Sequence, residues 1–164
     1  MTTHFTSGVT NVSAGSTLGR AKMPAPSKYH VYHNDFDTYL ASDWTITTDN
    51  DFLQLTKEGF KYEAGKQLAF SSRFKTSDAD ASDVVMGLQI TDTSPLDVTD
   101  GIFFLLTDGS TTLTFVVEKN GTQSTLDLPT AMADDTFMTV GFMFDPKDQK
   151  FHVYQNNTEV GAVV

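Results

Sequence analysis

Cysteine is absent from this 164-residue sequence, so neither disulfides nor thiolate metal sites can hold the fold together. Long apolar runs are also missing, because no stretch of about 18 residues is apolar enough to span a membrane. The N-terminus lacks the basic-then-apolar pattern of a secretion signal. We therefore expect no membrane partner, and a fold whose stability comes from packing and strand pairing.

Glutamate is scarce as well, with Glu58, Glu63, Glu118 and Glu159 as its four occurrences. Retaining glycosidases need two carboxyl groups about 5–5.5 Å apart, and none of these glutamates is paired with another acid at alternating strand spacing. The four histidines are scattered, and no glycine-rich phosphate loop is present. The sequence therefore predicts no enzyme activity, no metal site and no cofactor.

Aspartate is plentiful but does not form a recognisable calcium loop. The segment from Ser77 to Asp83 offers oxygen ligands, yet it lacks the glycine and the terminal glutamate of an EF-hand. We interpret it as a solvated turn between strands. Asp92, Asp97 and Asp100 surround Pro95 and are typical of loop residues that favour turns and solubility.

What is present favours strands over helices. The chain contains 13 phenylalanines, and threonine, aspartate, glycine and valine are abundant. Its length suits one domain with one core. The sequence predicts an all-β fold.

The charge is divided unevenly along the chain. Residues 1–34 carry Arg20, Lys22 and Lys28 and no acid, giving +3, whereas residues 35–164 carry 8 basic and 21 acidic residues, giving −13. An acidic body repels nucleic acid, so we expect no nucleic-acid partner, while a basic tail suits an acidic protein surface.

Residues 1–27 form a segment rich in serine, threonine, glycine, alanine and proline, without helical or strand periodicity. Such a segment buries too little apolar surface to fold alone, and we expect a flexible, basic N-terminal arm. Extended, it would reach roughly 90 Å, far enough to contact a neighbouring subunit. The alternative is a disordered leader without a partner. The expected partner contacts are the isolated apolar and basic side chains Phe5, Val9, Val12, Leu18, Arg20, Lys22 and Met23.

From residue 28 to residue 164 the sequence alternates between short apolar runs and turn signals, as in a β-sandwich. Period-2 alternation is clearest from Gln67 to Phe74. The run from Ile102 to Leu106 is apolar on both faces, which is typical of a central strand. The other predicted strands are Tyr29–Tyr32, Trp44–Thr47, Phe52–Leu55, Asp83–Thr91, Leu113–Val117, Phe137–Phe144, Lys150–Gln155 and a last one from Val160.

Dipeptides between these runs mark the turns. Asp108-Gly109, Asn120-Gly121 and Asn156-Asn157 each separate two apolar runs, and such dipeptides predict tight hairpins. Asp145 to Asp148 is a turn with Pro146 at a position where its fixed φ is useful. Leu128 to Asp135 is a candidate for a brief helical turn.

Several segments together resemble a known fold family. The order HNDFDTYLASDWTIT, EAGKQLAFSSRFKTSDADASDVVMGLQITD, DGIFFLLTDG and DDTFMTVGFMFDPKDQKFHVYQNN resembles the concanavalin A-like, laminin-G-type jelly roll. Joined to the opening HFTSGVTNV, the chain resembles capsid decoration (cement) proteins of tailed phages. The resemblance covers nearly all of the chain, although no single motif is highly specific.

The resemblance implies an antiparallel two-sheet jelly-roll sandwich with an extended N-terminal arm. It also implies a structural virion protein on the outer capsid surface, with the major capsid protein as partner and self-association into trimers. Members of the family usually carry a glycine-rich insertion after the region matching Ile46-Thr47. They also continue with at least one further core strand beyond the hairpin at Asn156-Asn157, that is, after the strand predicted from Val160. Neither is present here, so we expect the chain to be shortened relative to its natural counterparts.

A second hypothesis uses the same fold for another purpose. A carbohydrate-binding, lectin-like module for host-surface adhesion would need an exposed aromatic platform. The candidate residues for such a glycan platform are Tyr39, Trp44, Tyr62 and Tyr154. A free-standing lectin has no need of a basic arm, and this feature favours the capsid hypothesis.

Overall fold

The computed structural model describes residues 44–46, 53–55, 65–90, 92 and 94–164. The chain divides into two compact units, residues 1–64 and residues 65–164. The predicted arm, its boundary at residue 28 and the predicted strand Tyr29–Tyr32 lie outside the described residues.

In the first unit, strands β1 (Trp44–Ile46) and β2 (Leu53–Leu55) form an antiparallel ladder. Trp44 lies opposite Leu55 in its register. Both strands were predicted, and each is slightly shorter than the sequence indicated.

The second unit is a sandwich of two antiparallel four-stranded sheets, which confirms the predicted all-β fold class and is consistent with a jelly roll. Sheet I has the strand order β10-β9-β8-β3, and sheet II has the order β4-β5-β6-β7. The eight strands are β3 Leu68–Phe74, β4 Val84–Gln89, β5 Gly101–Leu106, β6 Thr114–Lys119, β7 Thr122–Asp127, β8 Met138–Asp145, β9 Lys150–Gln155 and β10 Thr158–Val163.

The core lies between the two sheets and is built largely from phenylalanine. Phe142 on β8 is fully buried, and its ring centroid lies 5.4 Å from that of Phe70, 5.3 Å from that of Phe115 and 6.2 Å from that of Phe104. Tilted and offset rings at such distances attract each other beyond the gain from burial alone. Alternation along β3 supplies Phe70 to this core, as the period-2 pattern predicted.

Two of the predicted hairpins are confirmed in detail. Asn120 and Gly121 join β6 to β7 with φ of 51° and 73°, and Asn156 and Asn157 join β9 to β10 with φ of 48° and 67°. Positive φ at both central residues defines the type I′ turn, whose twist matches that of paired strands. The turn sequence therefore fixes the register of the β6–β7 hairpin along its length and that of the β9–β10 hairpin as far as Glu159.

The connection between β5 and β6 differs from the prediction. Asp108 and Gly109 do form a turn, in which the Ser110 N–H donates to the Thr107 carbonyl at 3.0 Å. The connection nevertheless runs from residue 107 to residue 113 and is not a two-residue hairpin. Its end is anchored by Leu113, which is fully buried in the core.

The predicted helical turn between Leu128 and Asp135 is not present. The Leu128 N–H donates to the Leu113 carbonyl at 2.9 Å, and the Met132 N–H donates to the Thr111 carbonyl at 2.8 Å. Both side chains are buried in the core. Because its backbone groups bind the β5–β6 connection, the segment forms bends instead of a helix, and it ends in a tight turn in which the Thr136 N–H donates to the Ala133 carbonyl at 3.1 Å.

Candidate functional site

The outer face of sheet I carries a histidine held between two carboxylates. The Nδ1 atom of His152 on β9 lies 2.7 Å from Oε1 of Glu159 on β10. Its Nε2 atom lies 2.8 Å from Oδ2 of Asp148 in the β8–β9 turn. A bulge between Glu159 and Gly161 shifts the register of β10 on β9. We call Asp148, His152 and Glu159 the carboxylate–histidine clamp.

These contacts shift the pKa values of the clamp and of its neighbour Tyr154. The hydrogen bond to Glu159, followed by the one to Asp148, raises the pKa of His152 although partial burial opposes it. The hydrogen bond to His152 lowers the pKa of Asp148. Burial, with the nearby charge of Glu159, raises the pKa of Tyr154. The clamp therefore favours a positive imidazolium between two negative carboxylates.

The geometry of the clamp determines what it can do chemically. Both ring nitrogens of His152 are engaged by carboxylates, so neither is free to take a proton from a substrate. Within the part of the chain that the structure describes, no three His, Cys, Asp or Glu side chains are grouped to hold a metal ion. The arrangement ties β10 and the β8–β9 turn to β9.

The outer face of sheet II is apolar at its centre. Phe103 on β5 and Val116 on β6 lie opposite each other and are almost fully buried, together with Val98 from the β4–β5 loop. Val85 and Leu105 pack around them. We call these five residues the outer apolar cluster. It explains why β5 is apolar on both faces, one facing the core and the other facing this cluster.

A close approach of backbones makes this cluster possible. Gly87 on β4 has a φ of 150°, and a Cβ placed there would lie 2.7 Å from the Cα of Phe103. Only glycine lets the neighbouring strand pass Phe103 at this distance.

The β4–β5 loop lies at the end of this sheet and is held by specific bonds. Gln89 donates from Nε2 to the Pro95 carbonyl at 2.9 Å, and the Ile90 N–H donates to the Asp100 carbonyl at 3.1 Å. Asp92 accepts the Ser94 N–H through its side chain at 2.8 Å. The side chain of Asp92 therefore shapes a turn, as predicted for the acids of this loop.

The segment from Ser77 to Asp83 is a set of bends held by its acids, in agreement with its interpretation as a turn. Asp134 accepts the Ala79 N–H through Oδ1 at 2.8 Å, and Asp83 accepts the Asp108 N–H at 2.8 Å. A side-chain hydrogen bond with Asp80 raises the pKa of Asp78, and the charges of Asp80 and Asp134 raise it further. These acids thus bind backbone donors and each other.

One exposed aromatic side chain was missed by the sequence analysis. Phe137 precedes β8 and is 50% exposed, with the guanidinium of Arg73 3.8 Å from its ring centroid. Lys75 lies 5.7 Å from the same ring and forms a salt bridge with Asp135. Such cation–π stacking keeps an aromatic ring at the surface. The sequence does hint at this exposure, because Phe137 comes directly before β8 and is out of phase with the strand's core-facing residues Met138, Val140 and Phe142.

The residues predicted from the sequence fall in different places. Tyr154 lies half-buried on the outer face of sheet I beside Glu159, and Trp44 begins β1. Tyr39, Tyr62 and all of the predicted arm contacts lie outside the described residues: Phe5, Val9, Val12, Leu18, Arg20, Lys22 and Met23.

Comparison with family models, with curated proteins and with solved structures found no match to this chain. Among the residues that the structure describes, no helix is long and apolar enough to cross a membrane.

Proposed function

We propose that the chain is a structural virion protein that binds the outer surface of a phage capsid and stabilises the shell. The observation that carries the proposal is the division of charge, with +3 on residues 1–34 and −13 on the remainder, in a chain that resembles decoration proteins. The basic arm would lie along the major capsid protein, and the acidic body would face outward. No chemical step is needed for this role.

The sandwich unit suits an outward position. Residues 65–164 hold 6 basic and 14 acidic residues, a net charge of −8. Acidic domains of this kind stay soluble at the high local concentration of a decorated surface. Many weak contacts, each repeated over the lattice and coupled through a trimer, would give tight overall binding through effective concentration.

The test is binding to capsids that lack this protein. Shells of the phage that encodes the chain would be mixed with the full chain and sedimented at several salt concentrations. We expect the full chain to cosediment, and the double substitution Arg20→Glu with Lys22→Glu to weaken binding at least tenfold. Higher salt should also weaken it, because exposed charges are screened.

A matched control keeps the change of charge but moves it to the sandwich. Lys119→Glu with Lys147→Glu alters two exposed lysines by the same total charge. This control should bind like the unmodified chain. Equal loss from both double variants would reject the arm as the contact, and no binding by the unmodified chain would reject the capsid role.

The exposed Phe137 favours a second candidate function, a lectin-like module that binds glycans. One face of its ring is covered by Arg73 at 3.8 Å, and a sugar would stack on the other. Phe137→Ala should then abolish glycan retention while leaving capsid binding intact. A glycan array on which the unmodified chain binds nothing would reject this candidate.

A further inference from the structure

Strand β7 is an exposed edge of sheet II. Five of its six residues, from Thr122 to Asp127, are exposed, and the exception is Leu126. Its pairing with β6 runs without interruption from Lys119↔Thr122 to Thr114↔Asp127. A flat, accessible edge of this kind offers a row of backbone groups to another strand.

The type I′ turn decides which backbone groups face outward. The residues that flank it, Lys119 and Thr122, are the hydrogen-bonded pair of the turn. Hydrogen-bonded and non-bonded pairs then alternate along an antiparallel ladder, so Ser124 and Leu126 also bond to β6. The N–H and C=O groups of the remaining residues point away from β6: Gln123, Thr125 and Asp127.

The other outer strands of the described sandwich are protected in ways that β7 is not. β10 has a bulge between Glu159 and Gly161, and β3 carries the charged Arg73 near its end. β4 is half-buried at every position except the exposed Gly87. Bulges, charges and covering elements are the usual means of blocking an edge. β7 contains no proline, bulge or long basic side chain, and its one charge is the short carboxylate of Asp127 at its end.

We propose that β7 pairs with β7 of a second copy of this chain, antiparallel and about a two-fold axis through Thr125. In this register Thr125 lies opposite Thr125 of the second copy, and Gln123 lies opposite Asp127 on both sides of the axis. The three outward-facing residues of each strand then form about six backbone hydrogen bonds. Sheet II becomes one continuous eight-stranded sheet across the dimer.

The side chains on this edge complement each other under that symmetry. Asp127 is the charged residue of β7, and the two-fold axis places it opposite an amide rather than a second carboxylate. Gln123 donates one amide hydrogen to Glu118 at 2.9 Å, and Asp127 accepts from Thr114 through Oδ1 at 2.7 Å. Each keeps hydrogen-bonding capacity for the other strand, since an amide has two donors and a carboxylate two oxygens. Threonine pairs directly opposite each other also stabilise antiparallel sheets.

The net charge of −10 limits the affinity expected for the β7–β7 dimer. Two acidic bodies repel each other, and one short strand per copy buries less than the roughly 1,200–2,000 Å² of a stable interface. The dimer should therefore be weak, with a dissociation constant between about 10 µM and about 1 mM, and salt should strengthen it by screening the repulsion. Salt should strengthen this dimer but weaken capsid binding by the arm, so the two contacts can be told apart. The inference does not rest on the proposed capsid role.

The experiment is sedimentation velocity of the full chain over that concentration range, at low and moderate salt. Thr125→Lys and Thr125→Glu each place like charges opposite each other and should weaken the dimer at least tenfold. An equal mixture of the two variants should restore a dimer, because lysine then lies opposite glutamate. Thr158→Lys, at an exposed position on the protected edge, is the matched control and should dimerise like the unmodified chain.

Melting temperatures within a few degrees of each other would show that the variants fold, since position 125 is exposed. A chain that stays monomeric throughout would overturn the proposal, as would dimerisation unaffected by either Thr125 variant. Failure of the mixture to restore the dimer would overturn the register about Thr125.

Discussion

The hairpins β6–β7 and β9–β10 begin from the same local chemistry and end with different edges. Both are closed by type I′ turns, with Asn120-Gly121 in one and Asn156-Asn157 in the other. The strand β10 is then bulged and tied by the clamp through His152 and Glu159, whereas β7 is flat and exposed. The turn therefore decides that a hairpin forms, and the side chains beyond it decide whether its edge is open to another chain.

The largest expected effect on the free energy of unfolding comes from the core between the sheets, compared with the outer apolar cluster. Phe142→Ala removes a fully buried ring that contacts the rings of Phe70, Phe104 and Phe115, and it should lower the free energy of unfolding by about 3–5 kcal/mol. Phe103 lies in the smaller cluster, and Phe103→Ala should lower the free energy of unfolding by about 3 kcal/mol, the lower end of the range for such a truncation. Denaturant titration followed by circular dichroism measures both. An equal or greater loss at Phe103 would contradict the view that the inter-sheet core dominates.

A glutamine on each hairpin provides the second comparison. Gln155 on β9 is buried, accepting the Thr130 N–H at 2.9 Å and donating to the Thr130 carbonyl at 2.6 Å. Gln155→Ala leaves these groups unpaired and should cost about 2 kcal/mol. Gln123→Ala on the exposed β7 should change stability by less than about 0.5 kcal/mol. Similar losses at the two positions in denaturant titrations would rule out Gln155 as a structural link.

The two turns can be compared directly at their second position. Gly121 has a φ of 73° and Asn157 a φ of 67°. Gly121→Ala should cost about 1 kcal/mol, because alanine is strained at positive φ. Gly121→Asn should cost distinctly less, because asparagine tolerates this conformation, as it does at position 157. Thermal unfolding of the two variants measures both stability losses. Equal losses for Gly121→Ala and Gly121→Asn would count against the type I′ assignment.

The smallest expected effect concerns pH at the clamp. Because its carboxylate partners raise the pKa of His152, the stabilisation is complete below the ordinary histidine pKa of 6.5 and is lost as pH rises through the higher folded value. Among the described residues, Lys150 and Tyr154 share the face of β9 that carries His152 and its partners Asp148 and Glu159, and the raised pKa of Tyr154 keeps it neutral in this range.

The melting temperature should therefore fall modestly between about pH 6 and about pH 9, and His152→Gln should remove most of that fall. Differential scanning calorimetry at fixed ionic strength measures it. A fall of the same size in the variant would assign the pH dependence to other groups.

The sequence predicted seven of the eight strands of the sandwich because their signals are local, and it missed β7, whose residues are mostly polar on both faces. Asn-Gly turns and the alternation of Leu68, Phe70 and Phe74 each act over a few residues. The clamp could not be predicted, because the hairpin register pairs Glu159 with Tyr154, so Glu159 reaches His152 along a diagonal, and Asp148 reaches the same ring from a different turn. The two bonds between Gln155 and Thr130 likewise depend on tertiary contact. The predicted arm residues remain predictions.

The most direct test of the proposed function is an electron cryo-microscopy reconstruction of the virions of the phage proposed to encode this chain. We expect density for the sandwich above the major capsid protein, with residues 1–27 ordered along the shell beneath it. A shell without this density would contradict the capsid role.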